Sequence, residues 1–187
     1  MSWLIVLLSY LIGCIPTAYI AGHVVAGGDI RKMGDRNMGA ANAYRVLGAR
    51  TGIIVFFIDA AKGALAVFIA QHAHISQAAV LVAGVAVVAG HNWPVFLGFR
   101  GGRGQSTAIG VLLVLYTGPA SICLILGVLA LLWSKNMLLA SAVGFVPLSL
   151  FGWWLHYPVV IIAYGVGLPC LLGITHFLRT RKQSAPE

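Results

Sequence analysis

The chain has 187 residues, of which 60% are hydrophobic and only 9% are charged, and its formal net charge is +8. Soluble domains carry about a quarter charged residues, so this composition excludes a soluble globular protein. The positive charge suits the anionic inner surface of a cell membrane. We therefore expect membrane lipid, and no nucleic acid, as a partner.

Apolar runs recur along the chain, and several have about the 20 residues that cross a bilayer. The first begins near the N-terminus. Because no Lys or Arg precedes Arg31, we interpret this run as a retained span and not as a signal peptide. In chain order the runs are residues 2–20, 51–70, 76–97, 137–155 and 158–178. The sequence predicts an all-α integral membrane protein, with residues 1–187 forming a single polytopic membrane domain.

The basic residues predict the orientation of the chain, because cytoplasmic loops of membrane proteins are enriched in Lys and Arg. With the N-terminus outside and the C-terminus cytoplasmic, all of the 12 basic residues except Lys62 fall on the cytoplasmic side. Those residues are Arg31, Lys32, Arg36, Arg45, Arg50, Arg100, Arg103, Lys135, Arg179, Arg181 and Lys182. This alternation predicts seven transmembrane helices in the cell inner membrane.

The count of seven depends on two crossings between Arg103 and Lys135. Residues 104–134 are few for two full spans, and Gly118-Pro119 interrupts them. We predict a pair of short helices here. The alternative is one tilted span, which gives six in total and breaks the charge alternation.

Two polar, glycine-rich segments interrupt the apolar pattern, and both are predicted to face the cytoplasm. The first loop, residues 34–45, reads G-D-R-N-M-G-A-A-N-A-Y-R, and the second loop, residues 90–107, reads G-H-N-W-P-V-F-L-G-F-R-G-G-R-G-Q-S-T. Glycines allow backbone N–H groups to point at one ligand, and the start of a helix attracts anions. Arg suits phosphate because its planar group donates paired hydrogen bonds. Together the loops predict one basic, phosphate-binding pocket.

Other interpretations of the charged residues remain open. Arg100 and Arg103 could be plain membrane anchors, although the interleaved glycines favour a binding role. Asp59 and Lys62 lie one helical turn apart in an apolar run, where charge is costly. They form either a structural ion pair or part of the site.

Familiar catalytic and metal-binding motifs do not occur in the sequence. It contains no G-x-S-x-G segment and no P-loop, and only four acidic residues. This scarcity argues against two-metal carboxylate chemistry, and we expect neither a metal nor a cofactor.

Three segments together resemble the bacterial acyl-phosphate:glycerol-3-phosphate acyltransferase family, PlsY. The family pattern is G-S-G-N-x-G-A-T-N-x-x-R, then D-x-x-K-G, then G-H-x-F-P-V-F-L-x-F-K-G-G-K-G-x-A-T. The first and third parts match the two loops, and Asp59-Ala60-Ala61-Lys62-Gly63 matches the second. Gly13-Cys14-Ile15-Pro16 also stands where the family has G-S-I-P, so the resemblance covers most of the chain. It implies a seven-helix membrane fold with its motifs on the cytoplasmic side.

The resemblance implies roles for matching residues. In the first loop Arg45 would hold a substrate phosphate. In the second loop Arg100 and Arg103 replace two lysines, and Arg103 is the more direct phosphate ligand. The candidate catalytic residues are Asp35, Arg45, Arg103 and His176, and the candidate substrate-binding residues are Asn37, Gly39, Asn42, Lys62, His91, Arg100, Gly101, Gly102, Gly104 and Ser141.

The first loop departs from the family pattern at its start. Asp35 stands in place of a serine, Arg36 in place of a glycine and Ala41 in place of a threonine. A carboxylate beside a phosphate would repel it unless Arg36 compensates, or unless Asp35 has become a general base. His176 is the other candidate base.

The implied reaction moves a fatty acyl group from acyl phosphate to the 1-hydroxyl of glycerol 3-phosphate and yields lysophosphatidic acid for phospholipid synthesis. Two alternatives stay open at this point. One is a transporter or channel for a phosphorylated metabolite, since a basic vestibule over short helices also suits an anion path. The other is a catalytically inactive paralogue that binds acyl phosphate.

Overall fold

The computed structural model describes the backbone of residues 1–183 and the side chains of residues 1–177. The side chains of Arg179, Arg181 and Lys182, which the orientation argument used, lie outside this range. Residues 1–183 form α-helices and short 3-10 turns, with no strand among them. The α-helices are α1 Ser2–Gly13, α2 Thr17–Ala26, α3 Ala40–Leu47, α4 Ala49–His72, α5 Gln77–Asn92, α6 Gln105–Leu115, α7 Thr117–Ser134, α8 Met137–Phe145, α9 Leu148–Trp154 and α10 Val159–Gln183.

Proline divides two of the predicted apolar runs. The run 2–20 becomes α1 and α2, separated at Pro16, and the run 137–155 becomes α8 and α9, separated at Pro147. Proline lacks the N–H that would continue a helix, and its ring disfavours helical geometry at the preceding residue. Hydropathy alone did not show these breaks, because a single proline changes the average little.

Six helical stretches within the described residues are long and apolar enough to cross a membrane. They are Ser2–Ala26, Ala49–His72, Gln77–Leu97, Thr117–Ser134, Met137–Trp154 and Val159–Phe177. The shorter apolar helix α6 has 11 residues, which extend about 16 Å at roughly 1.5 Å per residue. That length is about half of the hydrocarbon core. The predicted seventh crossing depends on α6, and the count of seven stays a prediction.

Two helices do occupy residues 105–134, as the interruption in the sequence predicted. They meet at Tyr116, just before Gly118-Pro119, and not at the proline itself. Pro119 lies in the first turn of α7, where its missing N–H leaves no helical hydrogen bond unmade.

The described residues divide into two compact units, of which the first is Met1–Val111 and the second begins at Leu112. Whether residues 1–187 behave as one membrane domain stays a prediction. In the first unit, glycines bring helices into close approach. A methyl group on Gly13 would overlap the Val87 backbone of α5, and one on Gly90 would overlap the Tyr10 backbone of α1. Gly63 of α4 and Gly110 of α6 similarly meet the backbones at Thr107 and Ala60. Such small-residue contacts stabilise membrane helix pairs.

The second unit is packed around Tyr116, which is fully buried. Its ring fills the space left by Gly152 and Gly165, and its hydroxyl donates a 3.0 Å hydrogen bond to the carbonyl of Leu148. Tyr157 packs edge-on against it, with ring centroids 5.0 Å apart. The hydroxyl of a buried tyrosine requires such a partner.

Candidate functional site

The first loop is held in shape by the side chain of Asn42. This residue is fully buried on α3, and its amide nitrogen donates to the carbonyls of Met33 at 3.0 Å and Asn37 at 2.9 Å. Its amide oxygen accepts the backbone N–H of Asp35 at 3.2 Å. Sequence analysis assigned Asn42 to substrate binding. These hydrogen bonds lie within the loop and the segment before it, and they fix the turn that precedes α3.

Asp35 and Arg45 form an ion pair across the first loop. The other carboxylate oxygen of Asp35 accepts the backbone N–H of Asn37 at 3.1 Å. From the sequence, Arg36 was the candidate to compensate the negative charge of Asp35. However, Arg36 is exposed, with a left-handed backbone φ of 58°, and it makes no ion pair with any described residue. The cation that balances Asp35 is therefore Arg45.

The second loop doubles back on the end of α5. This helix ends at Asn92, shortly before Pro94, and a tight turn over Val95–Leu97 follows. The N–H of Gly101 donates to the carbonyl of Asn92 at 3.1 Å, and that of Gly102 donates to the carbonyl of His91 at 3.0 Å. Gly104 has a φ of 77°, which favours glycine, and α6 begins at the next residue. The second loop therefore ends at the N-terminus of α6.

The guanidinium groups of the second loop differ from that of Arg45. Arg100 is exposed and Arg103 is half-buried, and neither side chain makes a hydrogen bond or ion pair with any residue in the described part of the chain. Both lie beside the buried glycines 101, 102 and 104. An arginine with unused donors at a helix start is suited to binding an anion.

The two loops meet at Gly102. A methyl group there would overlap the imidazole of His91 on one side and the backbone oxygen of Met38, in the first loop, on the other. Met38 belongs to a buried apolar cluster with Ile30 and Ala43, against which Leu97 of the second loop packs. The contact confirms that both loops share one region of the first unit.

Arg31 strengthens this junction, although sequence analysis used it only to orient the chain in the membrane. Its guanidinium donates to the carboxylate of Asp29 at 2.8 Å and to the carbonyl of Leu97 at 3.3 Å. It also lies 5.0 Å from the ring centroid of Tyr19. The hydrogen bond from Arg31 lowers the pKa of Asp29, and Asp29 in turn raises the pKa of Arg31. Arg31 thus connects the segment before the first loop to the second loop.

A buried polar cluster lies behind the second loop. Asp59 of α4 accepts hydrogen bonds from the ammonium of Lys62 at 2.8 Å and the hydroxyl of Thr17 at 3.0 Å. The Nδ1 atom of His91 lies 3.6 Å from the same oxygen of Asp59. Lys62 also donates to the carbonyl of Ile15 at 2.9 Å, at the break between α1 and α2. The ion pair that the sequence indicated is therefore present, and it contacts a residue of the second loop.

Comparison with known proteins identifies the family of this chain. The family described as Glycerol-3-phosphate acyltransferase matches residues 3–184. The chain belongs to this family. Glycerol-3-phosphate acyltransferase 4 of Dehalococcoides mccartyi is 52% identical over 182 residues, which cover 97% of this chain and 98% of the relative. Glycerol-3-phosphate acyltransferase of Thermoanaerobacter sp. is 42% identical and covers 77% of this chain and 72% of the relative.

Solved structures of the family have the same fold. A crystal structure of PlsY, an integral membrane glycerol 3-phosphate acyltransferase, in its glycerol 3-phosphate form matches with a TM-score of 0.84 at 30% identity and covers 97% of this chain and 91% of that chain. A crystal structure of its lysophosphatidic acid form gives the same values. The resemblance drawn from the motifs and the all-α integral membrane fold are thereby confirmed.

Two predicted site residues of this family member lie in the second unit. Ser141 is on α8, and its hydroxyl donates to the carbonyl of Met137 at 2.6 Å. His176 is exposed on α10. Within the first unit, Asn37 and Gly39 lie in the turn fixed by Asn42, and Gly39 directly precedes α3. The roles assigned to these residues stay predictions.

Sequence analysis left the place of Asp59 in the site open and did not include Thr17 or Arg31. The sequence could have indicated the importance of Asp59, because a carboxylate in a membrane span is rare and needs partners. Its contact with Thr17, 42 residues away in sequence, could not be inferred without the fold.

Proposed function

We propose that this protein transfers a fatty acyl group from acyl phosphate to the 1-hydroxyl of glycerol 3-phosphate. The hydroxyl oxygen attacks the acyl carbonyl carbon, and the bond from this carbon to the phosphate oxygen breaks. The hydroxyl proton leaves with the departing phosphate, directly or through a base. The products are lysophosphatidic acid and inorganic phosphate, and no cofactor takes part.

The main support for this proposal is the contact between the two loops at Gly102. Both substrates present a phosphate group, and the two loops supply two separate sets of cationic donors in one region. An acyl phosphate is a mixed anhydride with a good leaving group. Catalysis then consists mainly of holding two phosphates in place and stabilising charge as the phosphate departs.

In the second loop Arg103 is the principal phosphate ligand, with Arg100 at the exposed edge. Their guanidinium groups are unused within the described residues, so no internal ion pair has to break when an anion binds. Gly101 and Gly102 allow this loop to pack closely, because a methyl group at either position would overlap His91. Gly104, with a φ of 77°, leads the chain into α6. The leaving phosphate of the acyl donor develops its charge beside these donors.

In the first loop Arg45 binds a phosphate in competition with Asp35. An incoming phosphate either shares the Arg45 guanidinium with the carboxylate or displaces it. A displaced Asp35 lies beside the acceptor and can accept the proton of its hydroxyl. His176 is the other candidate base. Asn37 and Gly39 complete the proposed substrate-binding set of the first loop.

We place the loops on the cytoplasmic side of the cell membrane, with seven crossings and an external N-terminus. The support is the distribution of Lys and Arg, since Arg31, Arg36, Arg45, Arg100 and Arg103 belong to these two loops and the segment before them. The apolar helices would hold the acyl chain of the lipid-soluble donor. Labelling an Arg50→Cys variant with a membrane-impermeant thiol reagent tests the side. Reaction in intact, unpermeabilised cells would contradict the proposal.

The reaction is tested with purified protein in detergent, given palmitoyl phosphate and glycerol 3-phosphate. We expect lysophosphatidic acid and inorganic phosphate in equal amounts. Phosphate release without glycerol 3-phosphate would indicate hydrolysis. Product formation from acyl coenzyme A but not from acyl phosphate would refute the proposed donor.

The variant Arg45→Ala tests whether the measured acyl transfer comes from this protein and its proposed site. We expect it to lose the reaction, because the acceptor phosphate loses its ligand and Asp35 is left without its cation. The matched control is Arg50→Ala, an exposed arginine at the start of α4 outside the proposed site. Equal rates for Arg45→Ala and the original protein would remove Arg45 from the site.

A further inference from the structure

The buried cluster behind the second loop contains charged groups that the proposed reaction does not use. Asp59 is 1% exposed and Lys62 and His91 are each 5% exposed, all within the first unit. Burying a charge in a membrane protein is costly unless it is paired. Two apolar residues would pack here without that cost, so the position of the carboxylate requires an explanation beyond packing.

The hydrogen bonds of Asp59 and Lys62 fix the carboxylate between three helices. Thr17 contributes from the start of α2, Lys62 from the next turn of α4, and Ile15 accepts from Lys62 at the break between α1 and α2. The Ile15 carbonyl lies between the two helices, where it accepts from Lys62 as well as from the N–H of Thr17 at 3.1 Å. Asp59 is therefore held rigidly, with one oxygen directed toward α5.

That oxygen lies 3.6 Å from Nδ1 of His91. The separation is longer than a hydrogen bond, but the charge still favours a proton on the nitrogen that faces the carboxylate. Asp59 and Lys62 neutralise each other, so a neutral imidazole protonated on Nδ1 adds no further buried charge. Its Nε2 atom then faces Gly102, where a methyl group would overlap it.

The His91 ring in turn contacts the junction of the two loops. Gly102 donates its N–H to the carbonyl of His91 at 3.0 Å, and the same glycine touches the ring and the backbone oxygen of Met38. A rotated or differently protonated ring would shift the backbone that precedes Arg103. The contacts thus form a continuous series from Asp59 through His91 to the phosphate-binding segment.

We propose that Asp59 is a positioning residue for acyl transfer, which acts by orienting His91 and, through it, the Gly101–Gly102 backbone. This inference rests on the proposed function for its effect on rate. In this proposal the D-x-x-K segment, Asp59 to Lys62, positions other residues and does not contact the substrate directly. Lys62 serves the same purpose by neutralising the carboxylate and bonding it to the break at Pro16.

A double-mutant cycle between Asp59→Asn and His91→Gln tests the inference. Asp59→Asn should lower kcat by roughly ten- to a hundredfold, as expected when reacting groups are misplaced by about 1 Å, with little change in KM for glycerol 3-phosphate. In the His91→Gln background the same substitution should change kcat by less than about twofold, because residues that act through one another are not additive. An equal loss in both backgrounds would overturn the proposal. The matched control His72→Gln, which removes an exposed histidine at the C-terminal end of α4, should leave kcat unchanged.

Asp59→Asn leaves Lys62 without its carboxylate, and the variant could fail to fold for that reason alone. The pair Asp59→Asn with Lys62→Met removes both buried charges and serves as the second form of the test. A purely structural ion pair predicts that this neutral variant regains the original kcat. A positioning role predicts that kcat stays low although the melting temperature recovers.

The protonation of His91 provides a measurement that does not depend on turnover. Nitrogen-15 spectra of histidine-labelled protein, with the His91 signal assigned by its loss in His91→Gln, should show a proton on Nδ1. In Asp59→Asn the proton should move toward Nε2. The same spectrum in both proteins would overturn the proposal. If the original protein shows no acyl transfer while these spectra differ, the proposed reaction fails and the orienting role of Asp59 stands.

Discussion

In the first loop the guanidinium of Arg45 is held by the carboxylate of Asp35, whereas in the second loop Arg100 and Arg103 make no ion pair with any described residue. The first loop obtains its shape from its own polar groups, chiefly the amide of Asn42. The second obtains its shape from the helix behind it, through the carbonyls of His91 and Asn92.

This difference predicts that the two loops bind their phosphates differently. A phosphate that binds Arg103 meets unused donors, whereas a phosphate that binds Arg45 competes with a carboxylate. We therefore assign the leaving phosphate of the donor to the second loop and the acceptor phosphate to the first. The first loop is also where this chain departs from the family pattern, at Asp35 and Arg36.

Removal of the Arg103 guanidinium should have the largest effect. We expect Arg103→Ala to lower kcat by about 10²- to 10³-fold, the loss typical of removing one donor to developing charge. Arg103→Lys restores the residue type of the family and should retain most of the rate. The measurement is phosphate release at saturating substrates. If Arg103→Ala keeps a normal rate, the second loop does not bind the leaving phosphate and the comparison between the loops fails.

A methyl group at the junction of the loops should have the next largest effect. Gly102→Ala forces the backbone away from His91 and Met38, and we expect kcat to fall by roughly tenfold or more because the donors are misplaced. The control is Gly167→Ala, since a methyl group at Gly167 meets no atom. Both variants are compared for rate and for melting temperature in detergent. Equal behaviour would show that the loops do not need this close contact.

Restoring serine at position 35 tests the first loop by itself. Asp35→Ser frees Arg45, and we expect KM for glycerol 3-phosphate to fall by up to about fivefold, as the 0.2–1 kcal/mol of an exposed ion pair allows. The value of kcat should stay similar if the departing phosphate or His176 takes the proton. A collapse of kcat instead would identify Asp35 as the general base. Unchanged kinetics would show that Asp35 does not compete for Arg45.

The sequence was sufficient to predict the features that depend on composition and local spacing. The membrane-spanning character, the two polar loops and the pairing of Asp59 with Lys62 all follow from residues close together in the chain. The interruption between α6 and α7 was also predicted, with an error of a few residues. The breaks at Pro16 and Pro147 were missed, because long apolar runs outweigh one proline in a hydropathy average.

The contacts that join distant segments could not be predicted in this way. Asp35 was expected to need a compensating cation, and Arg36 is its neighbour in sequence. However, the left-handed backbone at Arg36 accompanies an exposed side chain, and the helical position of Arg45 brings that residue to the carboxylate instead. The same is true of Arg31, whose bond to the Leu97 carbonyl joins residues 66 positions apart.

The smallest expected effect concerns the bridge from Arg31 to the second loop. Because Arg31 lowers the pKa of Asp29, the carboxylate stabilises the fold above the pKa of about 3.9 found in unfolded chains. This stabilisation is lost as the pH falls through the lower pKa of the folded protein. Asp29→Asn should cost at most about 1 kcal/mol at pH 7, and the difference in melting temperature from the original protein should shrink below pH 4. Thermal unfolding in detergent between pH 3 and pH 7 measures it. A difference in melting temperature that stays constant with pH would mean that Asp29 acts through its turn-capping bond to the Arg31 N–H and not through its charge. The junction of the loops would then not depend on this ion pair.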